Sequence, residues 1–262
     1  MTIKLNHLYE TEKDSLADRA SDDPIWFVRR YRDALDIEIA GFLAAQFAYG
    51  RVELIQRFLR KLFALMGDSP AAYITRKEFS GVDEIYYRLH RGSDILRLLK
   101  VLHSILHRYG GIGAMLKFHF QGDIREALWS IREELFRDDD QALLFFFPRR
   151  SSTSALKRWN MYLRWMVRSD DIDFGIWGFI PKTDLVIPLD THLFKIGRCQ
   201  GWTTQKTQNW KAARQITDVL REAAPEDPLK YDFLLCHAIG MDGRCSGVKN
   251  PTCRERCMLY EV

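Results

Sequence analysis

The chain has 262 residues, is 47% hydrophobic and 28% charged, and carries a formal net charge of +4. That composition excludes a disordered polymer and fits one large domain or two helical lobes. The apolar run at 142–148 is too short for a membrane span and the first thirty residues lack the order of a secretory signal, so a cytoplasmic protein with no membrane partner is expected.

In chain order, Pro24 after Asp22-Asp23 opens a long predicted helix in which Leu35, Ile39, Phe42, Leu43 and Gln46 share a stripe. Helices follow near 51–66 and 80–91. Ile95, Leu98, Leu99, Leu102, Ile105, Leu106 and Tyr109 mark one buried helical face, with Ser93 as N-cap and Gly110-Gly111 as the stop. Further helices are predicted near 123–136, 154–168, 191–199, 204–222 and 227–241. The stretch 169–189, rich in Asp, Gly and Pro, reads as a long loop crossing between lobes. Period-two alternation is nearly absent, so the predicted fold is all-α. Residues 40–168 would form a central lobe, and 1–39 with 169–262 a second.

Charge is unevenly spread. Between Arg149 and Arg168 stand six basic residues (Arg149, Arg150, Lys157, Arg158, Arg164, Arg168) and no acidic one, a field suited either to a polyanion or to a solvated helix face. Acidic residues gather at Asp138-Asp139-Asp140 and Asp170-Asp171. Asp170, Asp171 and Asp173 lack the glycine and terminal glutamate of a calcium loop, so no metal is assigned there. Five cysteines, an odd number, do not make a disulfide framework, and four of them (Cys236, Cys245, Cys253, Cys257) fall in the last 27 residues.

Residues 184–198 contain Pro188-Leu189-Asp190-Thr191-His192, which resembles the Val-Asp-Thr-His-Val signature of the helix-hairpin-helix DNA glycosylase superfamily. That resemblance implies two helical lobes flanking a DNA-binding cleft and makes Asp190 the catalytic carboxylate. The residue chemistry alone also fits a plain N-cap at Asp190. Upstream, Ser154-Ala155-Leu156-Lys157-Arg158 stands where the superfamily places its nucleophilic lysine, so Lys157 becomes the candidate amine, although a phosphate-binding role suits it equally.

The glycine-rich hairpin of the superfamily is replaced here by residues 149–154, and Lys157 and Asp190 are thirty-three positions apart. Both departures are similar to the archaeal 8-oxoguanine glycosylase branch and to related uncharacterised bacterial proteins of the DUF2400 type. The resemblance therefore implies a base-excision repair glycosylase, with AP-lyase activity and 8-oxoguanine as the favoured lesion. Its partner would be double-stranded DNA, bound by a monomer.

Gln46, Arg149, Arg150, Ser152, Ser154, Arg158 and His192 become the candidate DNA-binding residues. Trp159, Trp165, Phe174, Trp177 and Phe179 are candidates for the base pocket; Trp159, at helical spacing with Tyr162, Leu163 and Met166, reads as core, and Trp177 and Phe179 are the preferred pair. No cofactor is required by this chemistry. The segment from Gly243 to Cys257 resembles the iron–sulfur loop of the endonuclease III group with altered spacing; the preferred reading is a degenerate loop with free thiols, and Cys236, Cys245, Cys253 and Cys257 are the candidate ligands if a cluster or zinc is bound. Two rival readings stay open: a non-catalytic DNA-binding or interaction module, and a monofunctional glycosylase acting on alkylated or deaminated bases.

Overall fold

A computed structural model describes residues 2–19, 23–136 and 142–260, so the acidic run at 138–140 lies outside the described residues. In chain order the elements are α1 (Thr2–Arg19), a 3₁₀ turn (Pro24–Phe27), α2 (Ala34–Gln46), α3 (Val52–Met66), α4 (Pro70–Arg76), a 3₁₀ turn (Val82–Glu84), α5 (Gly92–Tyr109), α6 (Ile112–His119), α7 (Ile124–Leu135), α8 (Lys157–Val167), a 3₁₀ turn (Lys182–Asp184), α9 (Thr191–Cys199), α10 (Trp210–Ala223), a π-helix (Leu234–Asp242) and α11 (Cys253–Arg256). The protein is all-helical, and no strand beyond isolated bridges occurs among the described residues. No described helix is long and apolar enough to cross a membrane.

Two compact units divide the chain: 22–152, and 1–21 together with 153–262. The boundaries expected at 39/40 and 168/169 are displaced for identifiable reasons. Asp36, in the first turn of α2, accepts from Ser69 Oγ at 2.8 Å and from Ala71 N at 2.9 Å, which binds all of α2 to the start of α4. Helix α8 instead sends Arg164 and Arg168 into ion pairs with Asp232 and Asp227. Residues 169–189 also stay within the second unit. Phe174 and Trp177 donate their amides to α8 carbonyls at 2.8 Å, so the segment is a strap on that helix and not a crossing between lobes.

In unit 22–152, α2 is apolar almost all round and is the central helix, as expected of one covered on every side. Asp33 starts it by accepting from Leu35 N and Asp36 N, so Pro24 opens only a separate 3₁₀ turn and the long predicted helix is broken in two. The helix predicted at 80–91 is likewise replaced by a 3₁₀ turn and a tight turn in which Tyr87 and His90 exchange backbone bonds and Arg88 adopts φ 53°. Helix α5 buries Ile95, Leu98, Leu99, Leu102 and Ile105 and stops at left-handed Gly110, as its periodicity indicates. Its start differs: the Asp94 carboxylate accepts from Arg91 N at 2.9 Å, in place of a Ser93 cap. The apolar run 142–148 is core, with Phe146 and Phe147 packed among Phe42, Phe47 and His90.

In the other unit, α1 packs on α10 and the π-helix, and α9 packs on both as well. Between α8, the strap and the π-helix runs a buried charge network. Arg164 binds Asp173 at 3.2 Å and also Asp232, while Arg168 binds Asp173, Asp170 at 2.9 Å and Asp227 at 2.9 Å. Charges so buried are tolerable only when paired like this.

Candidate functional site

Asp190 is delivered to its place by an extended segment, 185–189, buried along its whole length. Thr217 of α10 anchors that segment: its Oγ1 accepts from Ile187 N at 3.0 Å and donates to Ala213 O at 2.7 Å. The chain then turns into α9, where Asp190 caps the helix by accepting from Leu193 N at 2.8 Å through Oδ1. This uses one carboxylate oxygen. The other, Oδ2, receives a hydrogen bond from the Cys236 thiol at 3.4 Å.

Cys236 lies in the π-helix, a form concentrated at functional sites because its wider turn re-aims side chains. The π-helix can approach α9 because residue 240 is glycine: a Cβ there would stand 2.7 Å from His192 Cβ. Burial holds the Cys236 thiol well above its ordinary range, with the negative charges of Asp190 and Asp232 adding to the effect and the positive charge of Lys157 opposing it. Lys157 and Asp190, thirty-three positions apart, therefore act electrostatically on one thiol. Asp232, itself pushed up by burial, pairs with Arg164 and is raised further by the charge of Asp190, which links the site electrostatically to the charge network.

Lys157 is the first residue of α8. The turn before it places Leu156 at φ 54°, a left-handed conformation that costs a non-glycine residue roughly 1–2 kcal/mol. Burial of the Leu156 side chain and a bond from its amide to Ser154 Oγ at 3.2 Å hold that turn. Lys157 itself is half-buried.

The remaining candidates are distributed unevenly. Ser154, Arg158, His192 and Phe179 share the unit of Lys157 and Asp190, with Ser154 exposed and the other three half-buried. Trp177 is only 4% exposed, set edge-on to Tyr162 with ring centroids 5.2 Å apart, so it is a core side chain and no surface for a base. Trp159 and Trp165 are core too. In unit 22–152, Arg149 and Arg150 are exposed, Ser152 is half-buried and Gln46 is fully buried at the end of α2. Arg150 pairs with Glu126 at 2.9 Å, an exposed contact weak enough to yield to a phosphate. The basic stretch 149–168 is not one positive surface, because Arg164 and Arg168 point into the buried network.

The cysteines also regroup. Cys199, at the end of α9, lines a cavity of about 150 Å³ together with Cys245, Cys253 and Cys257. Cys236 is not in that lining. Burial raises the Cys199 thiol, and the neighbouring Cys245, Cys253 and Cys257 raise it further. Asn250 N donates to Cys253 Sγ at 3.4 Å, and burial raises the Cys257 thiol, a backbone bond from Leu259 opposing it and Cys245 and Cys253 adding to it. The candidate set with Cys236 is corrected accordingly, since that thiol is committed to Asp190. Sequence reasoning missed Cys199 because it lies far from the other three along the chain; its only signal was the odd cysteine count. Among the described residues, no cluster of histidine, cysteine and acidic side chains closes around a single metal ion, at Asp170–Asp173 or elsewhere.

An all-helical protein with a helix-capping aspartate bonded to a half-buried thiol is the class that fold and site define. The chain belongs to the DUF2400 family, described as a protein of unknown function, whose model matches residues 23–241. No curated protein and no solved structure matches the chain.

Proposed function

We propose that this protein is a base-excision DNA glycosylase with AP-lyase activity, acting on a flipped damaged base in duplex DNA, with 8-oxoguanine the favoured lesion. The observation that carries the proposal is the Asp190 carboxylate held by Leu193 N and the Cys236 thiol at the start of α9, in the same compact unit as Lys157 at the start of α8.

In this reading the Asp190 carboxylate, fixed by Leu193 N and Cys236, stabilises the positive character that develops on the sugar as the N-glycosidic bond breaks. The Lys157 amine, once deprotonated, attacks C1′; the base leaves with the bonding electrons and takes up a proton. The resulting Schiff base then permits strand cleavage by β-elimination. Exposed Arg149, Arg150 and Ser154, with half-buried Arg158 and His192, suit phosphate contacts, and half-exposed Phe179 suits stacking on the extruded base.

The test is incubation with duplexes each carrying one lesion (8-oxoguanine, hypoxanthine, uracil or an alkylated purine), with and without borohydride. Base release plus a trapped covalent adduct is the expected result. Base release without an adduct would leave a monofunctional glycosylase, and binding without release a DNA-binding module.

A further inference from the structure

We infer that Cys199, Cys245, Cys253 and Cys257 are the ligands of a four-iron, four-sulfide cluster seated in the cavity they line, and that Cys236 is not a ligand. This assignment stands independently of whether the chain cleaves DNA.

Four thiols from two separated parts of the chain, one on α9 and three on the C-terminal segment, face one space of about 150 Å³. Zinc would require four sulfurs at about 2.3 Å from a single point. Among the described residues no such group closes on a single ion, whereas the four thiols share the lining of one cavity. A cubane cluster fits such a ring because each cysteine binds a different iron. The surroundings agree with that occupant. Arg244 and Lys249 line the same cavity and supply positive charge opposite an anionic cluster. The Asn250 amide already donates to Cys253 Sγ, the kind of bond that stabilises ligating sulfur. The loop is wrapped closely on α9: Gly247, at φ 88°, lies against Lys195, where a Cβ would come within 3.1 Å of its side chain.

Protein purified anaerobically from iron-supplemented cells should contain about four irons and four acid-labile sulfides per chain, with a visible absorption bleached by dithionite. Cys199→Ser and Cys245→Ser should lose most of the iron and sulfide, while Cys236→Ser retains both. Circular dichroism and urea unfolding establish that each variant is folded. Should Cys199→Ser fail to fold, native-state alkylation of the wild-type chain, mapped by mass spectrometry before and after iron chelation, replaces it. Cys199, Cys245, Cys253 and Cys257 should then become reactive together. The inference is overturned by loss of the cluster in Cys236→Ser with retention in Cys199→Ser. It is equally overturned by one zinc per chain without sulfide, by absence of both iron and sulfide after anaerobic reconstitution, or by Cys199 reactivity that chelation does not change.

Discussion

The Cys236 thiol donates a hydrogen bond to Asp190 Oδ2 at 3.4 Å while Asp190 Oδ1 caps α9, so both oxygens of this carboxylate are held at once. A carboxylate fixed in this manner cannot rotate freely, and its charge is aimed by two elements that share no sequence neighbourhood.

The first consequence separates capping from chemistry. Asparagine is as good an N-cap as aspartate, whereas alanine costs roughly 1 kcal/mol. Asp190→Asn should therefore melt close to wild type yet lose on the order of a hundredfold or more in base release, the scale of a lost electrostatic stabiliser. Equal activity of Asp190→Asn and wild type in single-turnover assays would reduce Asp190 to a structural cap.

Lys157→Gln should abolish the borohydride-trapped adduct while leaving DNA affinity changed by no more than one phosphate contact, read as a reduction of about one in the salt slope. An adduct that survives in this variant would transfer the nucleophile to another amine.

The buried network gives a stability test. Arg164 is 6% exposed and pairs with Asp173 and Asp232, which are 0% and 4% exposed. Arg164→Ala leaves the buried Asp232 without its cation and Asp173 with Arg168 alone, so urea unfolding should show a loss of about 3–5 kcal/mol. A loss under 1 kcal/mol would mean that water or rearrangement replaces the guanidinium.

Alkaline pH should weaken the unit that contains the site. The Cys236 thiol ionises above its ordinary value of 9.0, chiefly through burial and then through Asp190. As pH rises past 9.0 the unfolded chain releases this proton first, so the stability linked to the thiol is complete below that value and is lost as pH climbs through the folded one. Unfolding free energy measured across this range should fall with pH, and Cys236→Ala should flatten the slope. An unchanged slope would place the alkaline transition on the buried tyrosines.

Gly240→Ala is the packing test. Its new Cβ would stand 2.7 Å from His192 Cβ, forcing the π-helix and the start of α9 apart. A cost of about 1–3 kcal/mol is expected, accompanied by a larger fall in base release than in melting temperature, since the displacement moves Asp190 relative to Cys236.

The sequence by itself determined what short-range physics controls. Periodicity marked the buried face of α5, Gly110 its end, and Asp190 the start of α9, because a helix face, a left-handed stop and a capping oxygen are each decided within a few residues. It misread 80–91, where local turn chemistry prevailed over a weak apolar pattern, and passed over α1, α4 and α6. Only the tertiary structure decided which way each long side chain faces and which distant elements meet. Arg164 and Arg168 look like surface charge along the chain, yet aspartates from residues 170–232 draw them inward. Cys236 and Cys199 exchange their expected places because the meeting of the π-helix with α9, permitted by Gly240, puts one thiol against Asp190, while Cys199 at the far end of α9 faces the C-terminal cavity. Helix periodicity fixes a face on each element, but partner choice depends on packing among residues far apart in the chain, and no local pattern records it.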